Sequence, residues 1–408
     1  MKASGNVFLC LIGLLGLCAP AFAAVTVTSL TPSLASPQNA GSAITWTATA
    51  IDTGAGQFTF QFLVAFGSGK FVMVKDFNVG TLSGGIWTSQ PFVWVPTGIA
   101  GTYTIKVVAK DFNSPANMAA KDAKFTVQAL ATTSPVVVST ANPLVALFAA
   151  PACPGGSNQR VAFQKFGSTA VNVTNYVKCN ANAALNYEIA GMYANTTYNM
   201  YTETETGGTI TNGPMVSFTT GALPTDVPFP TFTITTAGGD GTSPLLLLGP
   251  VAFGPTTAYP LLATDRRANV LWYYYDPVSP NYTLLTRPLA QNVNFSYPTM
   301  LVFQDGVAWD SSVTLEQYLR QLDLAGNVVK ETNVGVIQQE LLALGANDAG
   351  PCSVIPKPAP VGSACLGSFH HEAIQTLPGG QTALIASIET ARNSPKRSLT
   401  RCFAPPSA

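Results

Sequence analysis

The chain has 408 residues, 47% apolar and only 10% charged, and its twenty basic and twenty acidic side chains cancel. At about 100–200 residues per domain this leaves room for two to four domains with well-filled cores. A charge balance with no basic patch ahead of the last twenty residues excludes nucleic acid as a general partner.

Thirty-five Gly and thirty Pro, with abundant Val, Thr and aromatic residues, predict many short strands joined by tight turns. The composition reads as all-β and exported. Lys2 followed by the apolar run from Val7 to Ala19 and by Ala21-Phe22-Ala23 reads as a signal peptide cleaved after Ala23. The run is well short of the ~20 residues that span a bilayer, and Leu17 is larger than lipoprotein sites before a residue such as Cys18 usually take. No later segment is apolar enough to cross, so no membrane association is expected after cleavage. Cleavage removes Cys10 and Cys18 and leaves Cys153, Cys179, Cys352, Cys365 and Cys402. In an oxidising compartment the simplest local pairs are Cys153–Cys179 and Cys352–Cys365, with Cys402 left over. Closing the second loop would contribute roughly 3 kcal/mol. No Cys or His spacing suits zinc.

In chain order, residues 24–130 form the first module. Period-two alternation marks strands at Ile44–Ala48, Phe58–Phe62 and Gly101–Val107, a spacing that predicts a β-sandwich. The segment GTYTIKVVAKD, with Tyr103 near a strand corner, resembles the late strands of bacterial immunoglobulin-like modules. After a linker from Leu130 to Pro135, the second module, within 131–224, contains IAGMYANTTYNMY and VSFTTGALP. These resemble the end of a fibronectin type III domain, with Tyr198 at its corner position and read here as a core aromatic. Pro224, Pro228 and Pro230 mark a stiff connector.

The third region, 225–390, has a weak internal repeat. Asp265 to Leu271 and Asp323 to Val329 share Asp-x-x-x-Asn-Val-Leu/Val, each between two apolar strands, as a hairpin turn would be. Asp305-Gly306 and Pro378-Gly379-Gly380 read as further turns. Several strands per repeat of roughly 40–60 residues is a propeller pattern, with two blades and the opening of a third. Alternation runs to Ile388, after which residues 391–408 are irregular and basic, with Arg392, Lys396, Arg397 and Arg401. This tail reads as a premature stop such as a frameshift produces, and a propeller-like reading frame downstream would bear that out.

The only two histidines, His370 and His371, are adjacent within FHHEAIQTLPGGQ. With DRRANVLWYYY and LRQLDLAGNVVKET, the string GSFHHEAIQTLPGGQTALIAS resembles the bacterial arylsulfotransferase family, from roughly Thr231 to Ser387. Glu372 stands where that family commonly has Asp. The resemblance implies a sandwich module joined to a six-bladed propeller. It also implies transfer of a sulfo group from an aryl sulfate to a phenol through a sulfohistidine, with no nucleotide or other cofactor. The family's later Asp-Trp-x-His-x-Asn string and further histidine do not occur in this sequence. His370 and His371 therefore map more readily to substrate binding than to the nucleophile, and which of them faces the site stays open.

The chemistry suits these residue types. Neutral imidazole has the moderate basicity that attack on sulfur needs, and donors or cations must meet the equatorial oxygens. Adjacent side chains on a strand point to opposite faces, so both histidines line one surface only if the backbone bends. Arg266, Arg267, Arg287 and Arg320 are candidate anion ligands, though surface arginines are commoner than clamps. Glu372 either orients a histidine or is solvated. A His-His-Glu metal site is disfavoured, because contiguous residues rarely converge on one ion. The competing reading is an exported cell-surface binding or adhesion protein without catalysis, its propeller fragment serving as a ligand platform. The small-molecule partners expected are an aryl sulfate and a phenol, in the periplasm or outside the cell.

Overall fold

The computed structural model describes residues 25–51, 57–111, 116–235, 245–250, 259–276, 283–289, 299–305, 317–345, 350–351, 364–376 and 383–392. Nearly all regular structure among them is strand, with one helix. The signal peptide, Gly306 of the Asp305-Gly306 turn, the Pro378-Gly379-Gly380 turn, Cys352 and the tail beyond Arg392 lie outside the described residues, as does the side chain of Cys365.

The first module builds strands β1 (Thr26–Pro32), β2 (Ile44–Ile51), β3 (Phe58–Phe66), β4 (Val72–Val79), β5 (Gly101–Asp111) and β6 (Met118–Gln128). Alternation decides which side chains turn inward: Ile44, Trp46, Ala48 and Ala50 of β2 face Phe58, Phe60 and Phe62 of β3 and Ile105 and Val107 of β5 in one core. Strands β1 and β2 belong to one sheet, and β6, β5, β3 and β4, in that order, to another. Trp46 crosses from the first to meet Phe125 of β6 edge-on at 5.7 Å. Two sheets sharing one core make this a β-sandwich, as the alternation predicts. Tyr103 donates its hydroxyl to the Ile99 carbonyl at 2.6 Å, pinning the approach to β5.

The second module contributes β7 (Val136–Ser139), β8 (Ala146–Ala150), β9 (Asn158–Lys165), β10 (Leu185–Ile189), β11 (Thr197–Thr206) and β12 (Val216–Thr219). Order β7-β8-β10 forms one sheet, and β9, β11 and β12 lie in the other. Between them Phe148, Tyr187, Ile189, Val161 and Met200 form the core, with Cys153 and Cys179 bonded across a Cα separation of 5.4 Å. The expected first disulfide is therefore present. Tyr198 is buried, and its hydroxyl accepts from the Tyr193 backbone N–H at 2.9 Å.

Every residue of β8 and of β10 is buried, on both faces. One face lies on the module's own core. The other is roofed by the first module, where Asn186 donates to the Thr97 and Gly98 carbonyls, and by the third region, where Val145 joins a cluster with Leu261, Trp272 and Leu322. The β7-β8-β10 sheet thus sits at the meeting point of all three regions.

The third region forms a three-stranded meander, β13 (Leu246–Leu248), β14 (Leu261–Thr264) and β15 (Val270–Tyr274). A four-stranded antiparallel meander follows: β16 (Thr283–Leu289), β17 (Thr299–Asp305), β18 (Gln317–Leu322) and β19 (Val328–Asn333). The described residues do not close these strands into a ring. Instead β19 pairs in parallel with β4 at Glu331 and Lys75, so that the meander extends a sheet of the first sandwich across the expected module boundary. The one departure from all-β is helix α1 (Val334–Ala343). Asn333 caps it by accepting from Val336 N–H at 3.0 Å, and Gly345 at φ 85° follows its end. Its Gln-Gln-Glu-Leu-Leu-Ala run favours helix locally, and strand periodicity hides that signal. The described residues end with β20 (Ala364–Thr376) and β21 (Ala383–Arg392), the latter running four residues past the expected end at Ile388.

Candidate functional site

His370 and His371 lie on β20, and the backbone of both is described while their side chains are not. Phe369 pairs with Ile388 and Ala373 with Ala386, so four steps along β20 match only two along β21. The extra residues fall on His370, His371 and Glu372. A bulge of this kind is the bend that two adjacent side chains need before they can share a surface. Phe369, just before it, is buried and anchors the bulge to the interior.

The candidate arginines divide. Strands β16 and β18, which carry Arg287 and Arg320, both pack against β20. Arg287 itself stands at a register shift in β16, and its side chain lies outside the described set. Arg320 is already committed: its Nε donates to Glu331 at 2.7 Å and a terminal nitrogen to Asp276 at 2.8 Å. Arg266 and Arg267 occupy the turn between β14 and β15, where Arg267 N–H donates to Asp265. Among the described residues no three His, Cys, Asp or Glu side chains gather as a metal site would require.

Sequence reasoning missed the buried charges. Lys75 of β4 lies 3.7 Å from Glu331 of β19, Asn78 donates to Glu331 at 3.2 Å, and Asp76 accepts from Thr332 and Gln61. Burial alone would push Glu331 up, but the Arg320 and Lys75 charges outweigh it and hold the carboxyl below its usual range. Burial pushes the Lys75 ammonium down despite Glu331. Such a network costs desolvation and gives specificity of pairing rather than net stability. Here it locks the meander to the first sandwich in one register. Charged residues inside otherwise apolar strands, in a chain so poor in charge, were the available signal.

The two Asp-x-x-x-Asn repeats are hairpin turns, as their spacing predicts. In each, the aspartate N–H donates to the asparagine carbonyl, at 3.1 Å for Asp265 and 3.0 Å for Asp323. Each carboxylate accepts from the asparagine backbone N–H and side-chain amide, at 2.9 and 2.9 Å in the first turn and 2.7 and 2.8 Å in the second. The fourth residue takes a left-handed conformation, Ala268 at φ 63° and Gly326 at φ 87°. The second module reaches both turns. Tyr193 donates to Asp265 at 3.0 Å, and Glu188 of β10 accepts from the backbone N–H groups of Leu324 and Ala325 at 2.7 and 3.1 Å.

No family model matches the sequence, and no curated protein matches it. Among solved structures, the FN1–FN3 domains of chicken CNTN1 align at 12% identity over 47% of this chain and 67% of theirs, with a TM-score of 0.19. The chicken interferon gamma receptor alpha chain aligns at 10% identity over 48% of this chain and 98% of its own, with a TM-score of 0.18. Superpositions at this level carry no weight for fold or function. No helix among the described residues is long and apolar enough to cross a membrane.

Proposed function

We propose that this chain is an exported, arylsulfotransferase-like protein in which His370 and His371 meet the sulfo group of an aryl sulfate. The observation that carries the reading is the Phe-His-His-Glu string on β20, where the backbone bulges across those residues. In this reading the first two modules are immunoglobulin-like and fibronectin type III-like spacers. The corner contacts of Tyr103 and Tyr198 support that assignment. The strands from Leu246 onward are propeller blades, and the order β16-β17-β18-β19 supports that by being the simple four-stranded meander from which blades are made. Export to the periplasm or beyond follows from the leader and agrees with the Cys153–Cys179 disulfide.

The chemistry is a displacement at sulfur. The family's further, sulfo-carrying histidine is absent from this sequence, so turnover by this chain requires His370 or His371 to take its place: the imidazole lone pair forms an N–S bond, the aryl S–O bond breaks, and the departing phenolate takes a proton. In the second half the oxygen of an acceptor phenol forms a new S–O bond as the N–S bond breaks, and the proton of that phenol passes to solvent. A second reading, binding without turnover, is favoured by the commitment of Arg320 to Glu331 and Asp276, which removes one candidate anion ligand. Intact mass before and after mixing with a chromogenic aryl sulfate separates the two. Gain of one sulfo group, abolished in His370→Ala or His371→Ala, establishes transfer. No gain by folded protein, with saturable binding of the same ester, establishes a binding module.

A further inference from the structure

Glu188 and Asp323 come from different regions and meet in the interior, at 2% and 0% exposure. Glu188 spends one carboxyl oxygen on the N–H groups of Leu324 and Ala325. Its other oxygen is fully buried and receives no hydrogen bond from any donor. Asp323 lies against it, and each of its oxygens accepts one hydrogen bond from Asn327 and keeps a lone pair to spare. Neither carboxyl has a Lys or Arg partner among the described residues. Among the described residues the surrounding elements bring no unspent charge: Arg320, which reaches the Tyr274 hydroxyl at 3.5 Å, is taken by Glu331 and Asp276. Glu188 pairs across to Leu147 of β8, and β15 presents Trp272, whose indole donates to the Leu324 carbonyl, and Tyr274. Burial keeps that phenol neutral to about 12. Two acceptor-only anions side by side in an apolar pocket are untenable, whereas one proton on the vacant Glu188 oxygen turns repulsion into a hydrogen bond.

We propose that Glu188 and Asp323 form a proton-held latch that fastens the second sandwich to the β18–β19 turn, closed in acid and loosened as the shared proton is lost. Burial, then the Asp323 charge, pushes Glu188 well above its usual range, and burial lifts Asp323 to about 6 despite the Asn327 hydrogen bonds. The sign follows from proton linkage. The docked chain holds a proton that the released chain gives up at an ordinary carboxylate pH. Docking is therefore fully favoured below that value and weakens as pH rises from it through the raised range in which the pair gives up the shared proton. For an exported protein this makes the joint between regions responsive to the acidity of its surroundings.

The full chain carrying Glu188→Gln tests the latch. Glutamine keeps an acceptor for Leu324 and Ala325 and donates permanently to Asp323, copying the protonated acid. Thermal unfolding between about pH 5 and about pH 8 should lower the wild-type midpoint by on the order of 5 °C, and the E188Q variant should lose most of this slope and exceed wild type at the alkaline end. Both proteins keep His370 and His371, so the difference isolates the latch. Equal slopes would overturn it. Infrared titration of the wild type needs no variant: a carboxylic-acid carbonyl band should persist well above ordinary carboxylate pH. A band already gone at ordinary carboxylate pH would overturn the proposal as well.

Discussion

The turns at Asp265 and Asp323 share their aspartate–asparagine bonds and have opposite electrostatics. Asp265 is half-buried, and burial pushes its carboxyl up only until the hydrogen bonds from Asn269, Arg267 N–H and Tyr193 overcome it and hold it below the usual range. Asp323 has the same asparagine bonds, but full burial beside Glu188 carries it the other way. One motif therefore titrates in two directions, and what decides is the partner supplied by the second module, a phenol in one case and a carboxyl in the other. The lesson is that a repeat fixes a backbone while its neighbours fix its charge.

The largest expected effect separates burial from bonding. Asp323→Ala strands two part-buried donors of Asn327 at a fully buried site and should cost about 2–3 kcal/mol in denaturant unfolding, against about 1 kcal/mol for Asp265→Ala at the half-buried copy. Equal losses would mean that the turns are not differently placed. Next comes the left-handed position. A Cβ at Gly326 would lie 3.4 Å from the Tyr274 ring with φ at 87°, so Gly326→Ala should destabilise by about 1–2 kcal/mol. Tyr193→Phe removes one donor from Asp265 and should cost about 0.5–1.5 kcal/mol. NMR titration should show the Asp265 carboxyl moving upward in that variant. Because Asp265 is depressed when folded, its stabilisation is present above its ordinary value and is lost as pH falls, the reverse of Asp323. The smallest effect has the opposite sign: Ala268→Gly relieves an alanine at φ 63° and should stabilise by a few tenths of a kcal/mol.

Alternating residues made the first sandwich legible in advance. Ile44, Trp46, Phe58, Phe60 and Phe62 all face the core, as their period requires. The two turns were legible too, because Asp and Asn at fixed spacing bond their own backbone. What was hidden is tertiary. The β4–β19 pairing joins residues far apart in sequence, and Lys75, Glu331 and Glu188 read as ordinary strand residues until the opposite surface is known. Helix α1 escaped because its Val-Gly-Val start looks like strand, and the Asn333 cap and the Gln-Gln-Glu-Leu-Leu-Ala run that argue otherwise are short. At the candidate site the histidine pair announced itself by rarity. The bulge that holds it depends on a mismatch with β21 that β20 alone does not encode.

The parallel seam between β4 and β19 has a consequence for how this chain can be dissected. A fragment ending in the proline-rich connector would uncover β4 as a raw sheet edge, the kind of surface that recruits other strands into aggregates. Yet the residue at the middle of that edge is Lys75, whose pKa burial pushes down in the whole chain and water would restore. Freed of Glu331, it becomes a gatekeeper, a fixed positive charge in the path of any incoming strand. The side chain that fastens the meander in place is the same one that would keep the sandwich soluble without it.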